Sequence, residues 1–356
     1  MKRFPLILTS IFVFSLFFSS CKNEKVKADM AVPEYNPLGT AFTSGIISGE
    51  SSVKIRFAEN FTDSVVPNSV LEEKIFILSP EVDGDIYYID QQTIEFRPES
   101  RFDPGTSYVV DLKLVKLFPN ATGSKVFSFG FHTIDQHMVL ELTGFRPYND
   151  YKPELNSLSG ILSTADVADP EAVEAILDVV QNKKKLNVTW DHNVDGREHL
   201  FTIDSVKREN EAQTVEVKYN AASISSKQSG VEEFKVPSLG SFKLIAHKVV
   251  QYPEQHIVLS FSDPIRKNQS LEGLIRLSND TDLKFIVEGN NVKAYPVVRQ
   301  NGTLNVFVEP GIRNTAGKGL KASENIVAVF EQIQPSVELL GNGVIVPTSD
   351  EVLLPF

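Results

Sequence analysis

One cysteine, one tryptophan and three methionines in 356 residues leave out much of the chemistry that sites are built from. A lone thiol, Cys21, forms no disulfide within the chain and supplies no cysteine-based zinc cluster. The six histidines (His132, His137, His192, His199, His247 and His256) include no His-Glu-x-x-His pair, so no helical zinc motif is present. Serine, histidine and aspartate occur, but no Gly-x-Ser-x-Gly elbow surrounds any serine. The stretch from Gly39 to Gly49 lacks both Gly-x-Gly-x-x-Gly and the lysine of a phosphate-binding loop. Positive charge is short as well: 35 Lys and Arg face 46 Asp and Glu, a net of −11. Setting aside Lys2 and Arg3 of the leader makes it −13. A surface of that sign does not suit a phosphate backbone, so no nucleic-acid partner is expected. Catalysis has no support in the sequence, and the chain is expected not to be an enzyme.

Hydrophobic residues make up 42% of the chain, with 24 Phe and 9 Tyr, enough for several small cores. They fall in short bursts between Gly, Pro, Asn and Asp, which reads as strands joined by turns. The clearest example is Ile75 to Leu114, where four bursts are separated by Ser79-Pro80, Asp83-Gly84-Asp85, Asp90-Gln91-Gln92 and Asp103-Pro104-Gly105. Tyr108, Val110, Leu112 and Leu114 share one face of a strand, with Asp111 and Lys113 on the other. Ile94 and Phe96 flank Glu95 in the same manner, which places Glu95 on a wet side. The fold class is mostly β: tandem Ig-like antiparallel β-sandwich domains, with one short helix in the middle domain.

The chain divides as follows. Residues 1–20 form a signal peptide, basic at Lys2-Arg3 and apolar from Phe4 to Phe18. Phe18-Ser19-Ser20-Cys21 resembles a bacterial lipobox, with Phe where Leu is usual, so Cys21 is the expected lipidation site. A lipobox implies a bacterium and a covalent lipid on Cys21 as the one attached group, with no cofactor. Residues 21–40, rich in polar side chains and carrying Pro33 and Pro37, form a tether. Lys22 differs from the Asp that retains lipoproteins at the inner membrane, so the outer membrane is the preferred of the two envelope locations. Residues 41–135 form a first Ig-like domain, with strands at Val53–Phe57 and Val126–Phe131. Residues 136–240 form a second sandwich. There Asp169-Pro170-Glu171 starts a helix whose stripe is Val173, Ile176, Leu177 and Val180, ended by Lys183-Lys184-Lys185. Strands follow at Leu186–Trp190, Leu200–Ile203 and Thr214–Tyr219. Residues 241–333 form a third domain, a diverged copy of the first: Ile257–Phe261 stands for Val53–Phe57, and Asn314-Thr315-Ala316-Gly317 for Asn120-Ala121-Thr122-Gly123. Residues 334–356 read as the start of a further domain. The short junction at Asp135-Gln136 is expected to stiffen the array.

The lipobox with its tether, the stretch LSPEVDGDIYYIDQQTIEFRPESRFDPGTSYVVDL and the tail VELLGNGVIVPTSDEVLLPF together resemble the N-terminal part of a Bacteroidetes-type alpha-2-macroglobulin lipoprotein. Members of that family trap proteases, many through a Cys-Gln thioester in a Cys-Leu-Glu-Gln motif. No Cys-x-Glu-Gln occurs here, so the resemblance implies an anchor and spacer without thioester residues, meeting proteases through domains beyond these residues. The alternative is an envelope Ig-like lipoprotein that binds a glycan or a protein.

Two weaker signals remain. Asp191-His192-Asn193-Val194-Asp195-Gly196 matches the first six positions of a calcium loop, but Thr202 stands where the bidentate Glu belongs. A hairpin turn on Asp195-Gly196 is therefore expected, and no metal. Asn-x-Ser/Thr sites at Asn60, Asn120, Asn187, Asn268, Asn279 and Asn301 carry no weight in a bacterium. Asp63-Ser64-Val65 and Asp204-Ser205-Val206 resemble the short O-glycosylation sequon of Bacteroidetes.

Overall fold

The computed structural model describes residues 39–119, 125–149 and 152–332. Cys21, Asn120 and the tail 334–356 lie outside them. The chain divides into two compact units, residues 1–133 and 134–356.

The described residues of the first unit form nine strands: β1 (Gly39–Phe42), β2 (Gly45–Ile47), β3 (Val53–Phe57), β4 (Val70–Leu71), β5 (Phe76–Ser79), β6 (Gly84–Tyr88), β7 (Thr93–Pro98), β8 (Ser107–Lys113) and β9 (Val126–Thr133). A one-turn helix, α1 (Leu114–Leu117), follows β8. One sheet runs β1-β3-β7-β6-β4 and the other β2-β9-β8-β5. Among the described residues all pairs of this unit are antiparallel except β2 with β9, so residues 39–47 contribute a strand to each sheet of an Ig-like sandwich. The alternation in Val53–Phe57 places Val53, Ile55 and Phe57 inside and Lys54 and Arg56 outside. Tyr108, Val110, Leu112 and Leu114 are all buried in the same core. The Tyr108 hydroxyl accepts from the Asp103 N–H at 3.0 Å, bonding back to the chain five residues upstream as in the tyrosine corner of Ig sandwiches. Gly105, at φ 60°, makes the turn just before β8.

Glu95 departs from the expected wet position. It is 5% exposed, because β7 is covered on both faces at this point. Lys54 Nζ lies 3.1 Å from Oε1, Arg97 Nε donates to Oε2 at 2.7 Å, and the Ser52 hydroxyl also donates to Oε1. Burial pushes the Glu95 carboxyl up, but the hydrogen bonds from Ser52, Arg97 and Lys54 outweigh it and hold the group below the usual carboxylate range.

The second unit contains two cores. The first is built from β10 (Met138–Asn149), β11 (Lys152–Thr164), α2 (Pro170–Glu174), β12 (Leu177–Gln181), β13 (Lys184–Lys185), β14 (Val188–His192), β15 (Glu198–Lys207), β16 (Gln213–Asn220) and β17 (Ser229–Val236). Its sheets are β10-β11-β15-β14 and β13-β12-β16-β17, and a 3-10 turn covers Ala221–Ile224. The second core is built from β18 (Leu244–Val250), β19 (His256–Phe261), β20 (Ile275–Leu277), β21 (Leu283–Glu288), β22 (Asn291–Pro296), β23 (Gly302–Val308) and β24 (Glu324–Phe330). Its sheets, β18-β19-β22-β21 and β20-β23-β24, repeat the pairing order β1-β3-β7-β6 and β5-β8-β9 of the first unit.

The helix is shorter than the sequence predicts. Asp169 does cap it, accepting from the Ala172 N–H at 3.0 Å with Pro170 in the first turn, but α2 ends at Glu174. Leu177 and Val179 point into the core as part of β12, so the apolar run follows a period of two rather than 3.6. Lys183 does not end a helix. Asn182 and Lys183, at φ 50° and 65°, form the two-residue loop that turns β12 into β13.

Candidate functional site

Arg208 is the most buried charged side chain of the described residues, with a side-chain exposure of 0%. It follows β15 directly, and its guanidinium spans the joint between the two cores of the second unit. Nε donates to the Pro237 carbonyl at 2.9 Å, and one terminal nitrogen donates to the Ser262 carbonyl at 3.0 Å and Asp263 Oδ1 at 2.9 Å. The other reaches the Ser238 carbonyl at 3.1 Å, the Ser241 carbonyl at 2.7 Å and Asp263 Oδ2 at 3.0 Å. The planar fork thus meets the carboxylate on both oxygens while its remaining N–H groups satisfy the linker between β17 and β18. Asn290 makes a second crossing, donating to the Phe145 carbonyl at 2.7 Å and the Phe261 carbonyl at 2.6 Å. Ile245 of β18 packs on the core formed by β10 to β17. These contacts explain why two sandwich cores form one compact unit. Sequence reasoning passed over Arg208, because Lys207-Arg208-Glu209-Asn210 reads as an ordinary solvated run.

An open cleft of about 660 Å3 lies at one end of the last core. It is lined by the loop Pro253-Glu254-Gln255, by Lys284, Phe285 and Ile286 of β21, and by Tyr295, Pro296, Val297 and Arg299. β21 is the outer strand of its sheet, and Lys284 pairs with Tyr295 across the register. Tyr252, 61% exposed, stands beside the cleft with the Arg299 guanidinium 5.5 Å from its ring centre. Tyr295 stacks on His256 at 4.6 Å. His256 Nδ1 lies 2.7 Å from the Glu254 carbonyl, which can only accept, so that nitrogen carries the proton.

The calcium-like run Asp191–Gly196 is the end of β14 and its turn into β15, closed by Asn193 N–H to the Glu198 carbonyl at 3.0 Å, with Gly196 at φ 65°. Among the described residues no group of three or more His, Cys, Asp and Glu side chains is arranged to hold a metal ion. What the hairpin does bring together is a histidine pair that the sequence did not reveal. His192 and His199 sit opposite each other in the register, with their Nδ1 atoms 2.8 Å apart. His192 Nε2 lies 3.3 Å from Glu174 Oε1, a carboxylate that accepts, so His192 carries its proton there and accepts at Nδ1 from His199. His199 is then left with a bare Nε2, buried and without a partner. Burial holds the His199 ring below the ordinary histidine value, His192 adds to this, and Asp195 opposes it.

The sign of the resulting pH dependence follows. A depressed histidine binds its proton more weakly folded than unfolded, so stability is full above pH 6.5 and falls as pH drops through and below it. Protonation adds a second N–H at Nε2, a buried position with no acceptor to receive it. Trp190, the single tryptophan, stacks on His192 at 5.9 Å and reports on it. The expected result is a fluorescence change and a lower melting temperature between pH 7 and about 5.5, both absent in His199→Phe. An unchanged pH profile in that variant contradicts the assignment.

The other histidines are dispersed. His132 Nδ1 lies 3.0 Å from Ser107 Oγ in an exposed pair on β8 and β9, and His247 Nε2 donates to the Val327 carbonyl at 2.9 Å. His137 Nδ1 lies 3.3 Å from the Asp135 carbonyl.

No family model matches the sequence, and no curated protein is similar to it. Solved structures with related folds include the mouse nectin-like molecule 4 ectodomain, Ig1 to Ig3, at 15% identity over 83% of this chain and 99% of that one, TM-score 0.24. The SGBP-B protein of a Bacteroides ovatus mixed-linkage glucan utilization locus, solved with a mixed-linkage heptasaccharide, is similar at 7% identity over 85% and 70%, TM-score 0.25. An L,D-transpeptidase from Mycobacterium tuberculosis matches at 10% identity over 53% and 78%, TM-score 0.20. At these TM-scores the neighbours carry no argument about what this chain binds or does.

Proposed function

We propose that the chain is a lipid-anchored, non-catalytic stalk of the bacterial envelope, the membrane-proximal part of a protease-trapping protein of the alpha-2-macroglobulin kind. The observation that supports it best is the Arg208 junction. A spacer has to keep its modules from folding back on one another, and a guanidinium with every N–H engaged across a joint does that. The lipobox at Cys21 and the polar tether after it supply the anchor in this reading.

Acylation tests the proposal. The full chain expressed in a Gram-negative host with an alkynyl fatty acid is expected to carry label and to fractionate with membranes. Cys21→Ser is expected to lose both. An unlabelled wild-type protein released into the medium overturns the stalk reading. A reading frame that continues past Phe356 into macroglobulin domains with a Cys-x-Glu-Gln motif supports the finer assignment, and a stop codon there removes it.

A second reading, an envelope lipoprotein that binds a glycan or a protein, is favoured by the cleft lined by Tyr295 and Arg299, with Tyr252 beside it. The two readings are compatible in one molecule, because the junction and the cleft use different residues.

A further inference from the structure

The cleft in the last core has a chemistry more specific than a general binding surface. We infer that it takes a short acidic oligosaccharide, one whose sugar rings carry carboxylates. This rests on the second reading above and names its ligand class.

Three features converge. The first is apolar surface: Ile286 is 48% exposed and Val297 57%, Tyr295 lines the cleft with them, and Tyr252, 61% exposed, stands beside it. Such surface matches the C–H faces of pyranose rings, and an aromatic ring beside a polar rim is suited to a ligand that is apolar on one face and hydroxylated at its edge. The second is uncompensated positive charge. Neither Lys284 nor Arg299 has a carboxylate partner among the described residues, whereas Lys293, close by on β22, is paired with Glu288 at 2.8 Å. Arg299 approaches only the Gln251 carbonyl, at 3.3 and 3.4 Å, and the Tyr252 ring, so its fork remains available to a planar carboxylate. In a chain of net charge −11, two unmatched cations in one cleft point to an anionic ligand.

The third feature selects among anions. Glu254 lines the same cleft and is exposed. A densely charged polyphosphate or nucleic acid would meet that carboxylate at close range and be repelled. A sugar acid would not, because its hydroxyl groups donate to Glu254 while its own carboxylate lies against Lys284 and Arg299. A neutral sugar leaves both cations unmatched. The volume of about 660 Å3 falls within the range of small-ligand sites and is open enough for a chain to pass through.

The test uses the full chain, isotope-labelled, titrated with trigalacturonate and with the neutral galactotriose while amide shifts are followed. Trigalacturonate is expected to perturb residues 252–256, 284–286 and 295–299 and to bind about tenfold or more tightly than galactotriose. Arg299→Gln and Lys284→Gln are expected to abolish that preference, and Tyr252→Ala to weaken both sugars, with Tyr252→Phe retaining them. All three positions are at the surface, so amide spectra confirm that the fold is kept. Equal affinity for the two sugars overturns the acidic assignment and leaves a binding role standing. No perturbation by either sugar overturns the inference, and a protein partner whose binding Tyr252→Ala abolishes would then keep the second reading by itself.

Discussion

Arg208→Ala is expected to destabilise the second unit by about 3–5 kcal/mol, the usual effect of removing one partner from a buried ion pair. The cost has a specific origin. Without the guanidinium, Asp263 remains buried with only the Ser262 hydroxyl, at 2.6 Å, to balance its charge. The carbonyls of Pro237, Ser238, Ser241 and Ser262 lose a donor as well. For a unit of this size the melting temperature should fall on the order of 10 °C. Lysine is a poor replacement, because three donors on a point charge cannot match a planar fork that uses both carboxylate oxygens. Arg208→Met combined with Asp263→Leu should recover part of the loss, since the stranded carboxylate is gone. Thermal unfolding of the three variants checks the order: Arg208→Ala lowest, the double variant between it and wild type. A wild-type melting temperature in Arg208→Ala contradicts the role given to the junction.

Phe102→Ala is expected to cost the first unit about 3–5 kcal/mol. Phe102 is a loop residue, just before the turn that leads into β8, yet it is 0% exposed. Its ring lies 4.9 Å from Tyr108 and 5.1 Å from Phe131, and its N–H donates to the Gly49 carbonyl at 2.8 Å. The side chain therefore plugs the end of the sandwich where the tyrosine corner closes it, and a truncated ring leaves a cavity that rigid strands cannot collapse into. Native-state hydrogen exchange reads the effect locally. The opening free energies of the β8 and β9 amides should fall by the full amount, while Tyr108→Phe, which removes one hydroxyl and strands the Asp103 N–H, should lower them by about 1–2 kcal/mol. Protection within about 1 kcal/mol of wild type in Phe102→Ala contradicts the plug.

What could be read from the sequence was what depends on nearest neighbours. The alternation in Val53–Phe57 and in Tyr108–Lys113 appears in the structure as more and less buried faces, because a strand's side chains have only two directions to choose from; Leu114 is buried too, but as the first residue of α1. The cap at Asp169 was legible for the same reason: one side chain, one N–H three residues away. The length of the helix was not. Val173, Ile176, Leu177 and Val180 satisfy a helical spacing, but Leu177 and Val179 equally satisfy a strand, and the deciding feature was a non-glycine turn at Asn182-Lys183 that carries no strong signal. The sites were less legible still. Arg208 and Asp263 are 55 residues apart, and nothing local to either tells a buried pair from two surface charges. Glu95 obeys the alternation of its strand, but cations and a hydroxyl from neighbouring positions cover it. The cleft assembles Glu254, Lys284, Tyr295 and Arg299 from three separate segments, which only strand order brings together.

The two sandwiches of residues 136–240 and 241–332 are expected to act as one stiff arm held by the buried Arg208. Distance measurement by double electron–electron resonance tests it most directly, with spin labels at Lys227→Cys and Lys321→Cys, both exposed, in a Cys21→Ser background. One narrow distance peak is expected, and it should broaden when Arg208→Ala is added. A broad distribution in the otherwise wild-type arm, or a peak that Arg208→Ala leaves unchanged, contradicts it.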